Sequence, residues 1–478
     1  MRRGREPKRD KTIEQLHEEN QRLREQLERI ERERARLERE NARLKDELEA
    51  ARRAGARQAA PFSKGTPTRR PRRPGRKPGR AYGRQGQRLI PPTVHETHAA
   101  PLPAHCPTCG EPVRETQVAA QYQDDLPPVA PVVRRFDIHI GICTGCHRRV
   151  QGRHPLQTSD ALGAAGVQLG PHAIALAVQL NKQFGLSFGK IAALFRDRFA
   201  LHVTASALVR ALHRVAAKGR PTYDALCETV RTSAVVVPDE TGWKVGGLLQ
   251  WLWVFATALT TIYRIRPGRG FAEAASVLGV DFAGGLSRDG WAPYRQFTEA
   301  FHQSCLGHLL RRCRLLQRDH PRARFPARIA RILHKALAVR DRHAAGHVSV
   351  HGVDVARGHL FNQLLDALQH IGPCPEMQRF ARHLTTELPA IFSFLVDPAL
   401  DATNWRAEQA LRPAIVTRKM CGGGNRSDRG AETQQVLASI LRTAHQRQLD
   451  VDDVITTLLR APAPVVSPQF YPASASVN

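Results

Sequence analysis

Four small and β-branched apolar residues, Ala234–Val237, lead through Pro238 into two acids, Asp239 and Glu240. Such a run reads as a buried strand, so part of this chain must build a sheet around it. A carboxylate at the edge of a buried strand loses solvation and needs a partner. The chain is strongly basic, with 72 Lys and Arg against 44 Asp and Glu, a net charge of +28. In that setting a divalent cation is the simplest partner for Asp239, and Mg²⁺ is the expected ion.

The charge also points outward. It favours a polyanionic partner through counterion release, with steep salt dependence. It names a partner class and no reaction, since a ribosomal or membrane-surface protein could share it. At 478 residues the chain should divide into two to four domains. The longest apolar runs, such as Ala173–Leu180, are too short to span a bilayer, and Met1–Arg5 begins no apolar leader. A cytoplasmic protein with reduced thiols is expected, its nine cysteines serving metal ligation before disulfides.

Residues 10–50 carry a heptad register. Ile13, Asn20, Leu27, Arg34, Asn41 and Leu48 fall at a, and Leu16, Leu23, Ile30, Leu37 and Leu44 at d. No Pro or Gly interrupts it, so a leucine-zipper-like coiled coil is expected, with a solvated single helix as the rival. Asn20 and Asn41 suit a parallel homodimer or higher oligomer. Glu19–Arg24 and Glu40–Lys45 favour that pairing, while Glu33–Glu38 opposes it. Residues 51–92 follow as a Pro/Gly-rich linker, with 13 Lys or Arg and no acid between 51 and 90. Such a segment cannot bury a core and is expected to be disordered. Arg72, Arg73, Arg76, Lys77 and Arg80 would touch DNA, either in a narrow minor groove or through nonspecific phosphate attraction along a flexible spacer.

Residues 93–155 contain two CxxC knuckles, Cys106/Cys109 and Cys143/Cys146. Paired knuckles present thiolates in the arrangement a closed tetrahedral Zn²⁺ needs, so a structural zinc ribbon is expected. The knuckles are separated by 33 residues, which one or two hairpins would fill. Residues 156–225 read as helices, with Pro171–Lys182, Leu186–Ala200 and Ala207–Ala217 as the segments and Thr204 or Ser206 as a cap. They resemble a helix-turn-helix or, equally, an ordinary packing unit.

Residues 230–460 hold the core. Gln250–Ala258 and Thr261–Arg266 look like antiparallel strands, Phe271–Leu278 like a helix, and Asp289 ends a further strand. That order suits a ribonuclease-H-like sheet, in which Asp239 and Asp289 face one another. Close like charges repel unless a cation lies between them. Glu408, early in a helix opened by Thr403 or Asn404, is the candidate third acid, with Arg412, Arg418 and Lys419 disposed toward phosphates. Residues 309–395 read as a helical insertion, and 461–478 as a tail. The fold class expected is therefore mixed α+β or α/β and multidomain.

These elements together resemble the DDE transposases of the insertion sequence 66 family. The likeness rests on the zipper, Arg72–Arg80, the CPxCG…CxxC knuckles, Pro238–Trp243, Arg288–Tyr294, Cys305–Cys313 and Asn404–Pro413. It covers nearly the whole chain in order, departing at Trp405 and Gln409. The resemblance implies Asp239, Asp289 and Glu408 as a catalytic triad for two Mg²⁺ or Mn²⁺ ions. It implies cleavage at element ends and 3′-OH transfer into target DNA, and a nucleoid-associated bacterial location. It also implies possible accessory proteins of the same element. A non-catalytic zinc-dependent DNA-binding regulator, or a decayed transposase, is the alternative. Glu240, Asp281, Asp397 and Asp401 are rival acids. His308, between Cys305 and Cys313, either lies near the site or joins a small metal cluster. Trp243, Trp251, Trp253 and Trp291 read as core before base-stacking platforms.

Overall fold

The computed structural model describes residues 7–56, 90–127, 129–166, 168–420 and 423–471. They divide into two compact units, one ending at Asp124 and the other starting at Asp125. In the first unit, helix α1 (Pro7–Ala56) runs unbroken for 50 residues. Arg32–Glu28 and Arg34–Glu38 pair along its surface at 2.8 and 3.4 Å. Its apolar register stays open: Leu23, Leu27, Ile30, Leu37 and Leu44 are all more than half exposed. Arg72, Arg73, Arg76, Lys77 and Arg80 lie outside the described residues. Further on, a single bridge between His105 and Pro112 frames the first knuckle.

The second unit begins with a small hairpin, β1 (Ile140–Ile142) and β2 (Arg149–Gln151), around the second knuckle. The alternating strand expected from Phe136 shrinks to three residues, because Ile140 and Ile142 find no core and stay exposed. Among the described residues no hairpin fills the stretch between the knuckles. Pro127 and Pro131 lack the N–H that a ladder requires.

Four helices follow: α2 (Pro171–Lys182), α3 (Phe188–Phe199), α4 (Ala205–Lys218) and α5 (Arg220–Arg231). Ser187 caps α3 and Thr204 caps α4, each hydroxyl accepting a backbone N–H. Their apolar faces do not form a free-standing module. Ile174, Leu212, Val215 and Leu226 share one core with Val236, Trp253 and Phe255 of the sheet.

The sheet starts as a meander of β3 (Val235–Val245), β4 (Leu248–Ala256) and β5 (Thr261–Arg266). Gly246 and Gly247, both at positive φ, make the two-residue turn that reverses β3 into β4. Helix α6 (Phe271–Leu278) then carries the chain over to β6 (Gly285–Arg288), which runs parallel to β3. β7 (Phe301–Ser304) lies parallel beyond it, giving the order β5-β4-β3-β6-β7. A mixed α/β unit with this sheet is consistent with the ribonuclease-H-like core expected.

The insertion is helical: α7 (Leu306–Asp319), α8 (Arg324–Ala344), α9 (Val350–Gln369) and α10 (Pro375–Glu387). It has its own core, including Leu309, Ile329, Leu333, Leu364 and Phe380. Helix α11 (Trp405–Met420) returns to the sheet and buries Ala407, Ala410 and Leu411 against Trp243, Leu252 and Val254. β8 (Gly424–Asn425) pairs with the end of β3. Helices α12 (Asp428–Gln446) and α13 (Val451–Arg460) close the unit.

One face of α12 satisfies the open edge of β5. Gln435, Ser439 and Thr443, at four-residue spacing, accept the N–H groups of Ile265, Tyr263 and Thr261 at 2.9–3.1 Å. An edge that would otherwise invite another strand is thereby covered. The first part of the expected tail is pinned as well. Val465 pairs with Lys218 and Thr222, and Phe470 is buried. Among the described residues no helix is long and apolar enough to cross a membrane.

Candidate active site

The sheet register sets the first two acids side by side. Val236 of β3 pairs with Leu286 of β6 in a parallel ladder. Three residues on from each lie Asp239, within β3, and Asp289, just past the end of β6, so the register carries the two acids toward one level. Side chains alternate along a strand, so residues an even number apart share a face. Val237 and Trp243 point toward α11, and Asp239 shares that face with them. Glu240 shares the opposite face with Val236. Glu408 lies in the first turn of α11, where the helix dipole favours an acid.

The electrostatics follow from this convergence. The Asp239 carboxyl is pushed up to about 8, first by burial and then by the charge of Glu240, against a stabilising bond from the Glu240 N–H. Asp289 and Glu408 push it the same way, so both fields reach Asp239. The donor set is entirely carboxylate oxygen, which suits a hard divalent ion such as Mg²⁺ or Mn²⁺. An Asp239 whose ionisation is resisted by burial and by the acids around it fits such an ion.

A tertiary scaffold holds the third acid in place. Asn404 stands at the expected cap position, its carbonyl accepting the Glu408 N–H, and its side-chain amide donates to Asp239 Oδ2 at 3.3 Å. Its other side-chain atom accepts from the buried Cys305 thiol at 3.1 Å. Cys305 N–H in turn bonds the Arg288 carbonyl, and Leu306 N–H bonds the Ala402 carbonyl. Ser287 of β6 donates to the Asp401 carbonyl at 2.8 Å. The loop ahead of Glu408 is thus tied to β6 and to the start of α7.

The rival acids have other work. Glu240 is buried, accepting from Arg269 at 2.7 Å and from the Tyr294 hydroxyl at 2.5 Å. Arg269 lies over the rings of Trp251 and Trp291, 4.7 and 4.0 Å from their centroids. Trp243 and Trp253 are buried core. Asp401 pairs with Arg406, Asp397 accepts the Ala399 N–H, and Asp281 is exposed. Arg288 is buried with Glu387, which Arg295 also contacts at 3.0 Å.

Basic residues border the site. Arg311 reaches Glu408 at 3.5 Å, and both are exposed. Arg412 is exposed, Arg418 donates to Thr241 and to the Gly242 carbonyl of β3, and Lys419 follows on α11. His308 feels the charges of Asp289 and Glu408 while burial and Arg311 hold its basicity down. It does not form a metal cluster with Cys305 and Cys313: Cys305 bonds Asn404, and Cys313 lies in the insertion core. Arg269, Arg311 and the Asn404–Asp239 contact are what a motif reading of the acids passes over. The position of Asn404 just ahead of the Glu408 helix was the signal available for the last.

The two knuckles favour thiolates. In the first, N–H groups of Thr108 and Cys109 draw the Cys106 thiol down to about 7. In the second, those of Cys146 and Gly145 lower Cys143. Cys109 and Cys146 are exposed.

A search of curated proteins finds no match to the chain. A sequence profile of the transposase IS66 family matches residues 166–433. The match takes in the six-stranded sheet, the insertion and all three converging acids. With more than half of its 478 residues matched, the chain belongs to the transposase IS66 family.

Proposed function

We propose that the chain is a DDE transposase whose Asp239, Asp289 and Glu408 hold two divalent ions, Mg²⁺ or Mn²⁺. It would cut the phosphodiester at element ends and join the freed 3′-OH to target DNA. The observation that supports this reading is the parallel register of β3 and β6 leading to Asp239 and Asp289, with the charges of both Asp289 and Glu408 reaching Asp239. The ions, when bound, would activate the attacking oxygen and stabilise the leaving one. The protein's part is to hold the acids in place: Asn404 orients Asp239, and the Trp291 N–H orients Asp289 from 2.9 Å. Arg311 and Arg412, beside Glu408, would meet phosphates.

The remaining parts fit delivery of DNA. Cys106 and Cys109 of the first knuckle, and Cys143 and Cys146 of the second, would serve as structural Zn²⁺ ligands, a reading supported by their thiolate-favouring turns. The open apolar seam of α1 would pair two copies. Arg72, Arg73, Arg76, Lys77 and Arg80 would track the DNA backbone, and Arg418 and Lys419 would also meet phosphates. The setting would be the bacterial nucleoid, with accessory proteins of the same element as possible partners.

The test is cleavage and joining of duplexes carrying the element's own ends. Mg²⁺-dependent products, abolished by chelation and by Asp239→Ala while DNA binding persists, are expected. Tight binding with no metal-dependent cleavage would instead favour a DNA-binding regulator.

A further inference from the structure

The helical insertion brings three metal-ligating side chains together away from the carboxylate site. His320 follows α7 directly, Cys374 is the N-cap of α10, and Glu376 stands in the first turn of α10. His320 Nε2 lies 3.8 Å from Cys374 Sγ and 4.0 Å from Glu376 Oε2. Cys374 Sγ lies 3.2 Å from Glu376 Oε2. Among the described residues this is the one His/Cys/Asp/Glu group of three whose ligand atoms all lie within 4.8 Å of one another.

These separations come within a few tenths of an ångström of those around a small tetrahedral ion. Zinc bonds of roughly 2.0–2.3 Å place ligand atoms roughly 3.3–3.8 Å apart. The backbone under each ligand is held by helix ends. His320 N–H bonds the Leu316 carbonyl, the His320 carbonyl accepts from Ala323, and Gln378 N–H bonds the Cys374 carbonyl. Arg379 takes the other oxygen of Glu376 at 3.0 Å, which turns Oε2 toward the thiol. Outer contacts of this kind commonly orient metal ligands. His320 and Cys374 also line a surface cleft of about 740 Å³ bounded by Arg322, Ile371 and Met377.

We infer that His320, Cys374 and Glu376 form a second metal site for a zinc-class divalent ion, with its fourth position open to this cleft. One thiolate and one imidazole disfavour Mg²⁺ and Ca²⁺ and select a borderline transition metal. The ion would tie the turn between α7 and α8 to the loop between α9 and α10. Both loops belong to the insertion that precedes Glu408. The site is separate from the paired CxxC knuckles and does not depend on the proposed DNA chemistry.

The full-length protein tests this in two ways. Zinc content of wild type is compared with Cys374→Ser and His320→Gln, with circular dichroism confirming the fold. One equivalent fewer in each variant is expected. Independently, alkylation of wild type by iodoacetamide is followed at the Cys374 peptide by mass spectrometry, with and without Zn²⁺. At least tenfold protection by zinc is expected, and loss of that protection in His320→Gln. Equal zinc content in all three proteins, or alkylation of Cys374 at one rate regardless of zinc, would overturn the assignment.

Discussion

The side-chain amide of Asn404 donates to Asp239 Oδ2 across 3.3 Å, joining positions 165 residues apart. It links the strand that opens the site to the loop that delivers Glu408. Outer-contact residues of metal sites typically contribute roughly 10–100-fold to affinity or activity. Asn404→Ala is therefore expected to lower single-turnover cleavage by that factor and to raise the Mg²⁺ concentration needed. A change under twofold in both would show that the contact is incidental.

Glu240 sits beside Asp239 yet serves the fold. Its side chain is 1% exposed and depends on Arg269 and Tyr294. Breaking a buried pair by removing one partner costs about 3–5 kcal/mol, because the other charge is stranded. Arg269→Ala should fall at the lower end, since Tyr294 keeps one bond. Tyr294→Phe should cost about 1.5–3 kcal/mol, the range for a bond to a charged group. Urea midpoints measure both.

Acid should destabilise the protein through its histidines. His213, His302, His308 and His383 are all held below the ordinary value, chiefly by burial. Their unfolded forms titrate near 6.5, so below about pH 6.5 the unfolded state takes up protons first. Stability is thus full above that pH and lost as pH falls below it. Asp239 has the opposite sign. Its raised carboxyl favours the metal-free folded state at low pH, and that favour fades between about 4 and about 8. Urea midpoints in the Asp239→Asn background should decline from pH 7 to pH 5.5, and less so when His302→Gln is added.

Helix α1 should assemble copies of the chain. Its d positions Leu23, Ile30, Leu37 and Leu44, with Leu27 at a, remain more than half exposed. A patterned apolar seam of this length is stable when another helix covers it. Light scattering should give a dimer or larger species for wild type and a monomer for Leu27→Glu/Leu37→Glu. A monomeric wild type would contradict the zipper reading.

Local signals carried a large share of the architecture. Helix α6 begins and ends where Gly270 and Gly279 bracket Phe271–Leu278, and α2 starts at Pro171. Asp289 can be set at a strand end from the short Gly285–Arg288 run before it and the glycine after it. Partners were harder to see. The amphipathic faces of α2, α4 and α5 show that something must cover them, and nothing in their periodicity says it is the sheet. Gln435, Ser439 and Thr443 are polar at helical spacing, a pattern that does not by itself announce burial. They are buried because β5 needs its N–H groups satisfied. Asn404 has the composition of a cap, and only the fold reveals Asp239 as its acceptor.

The central claim is that Asp239, Asp289 and Glu408 act as one metal-dependent centre. Single-turnover cleavage of an element-end duplex in Mg²⁺ tests it, using Asp239→Asn, Asp289→Asn, Glu408→Gln and the double variant Asp239→Asn/Asp289→Asn. Residues that act as a unit are grossly non-additive. Each single change should cost at least about 10³-fold, and the double variant should lose little more than the worse single. A rate within tenfold of wild type for any one variant, or losses that multiply in the double variant, would contradict a shared centre.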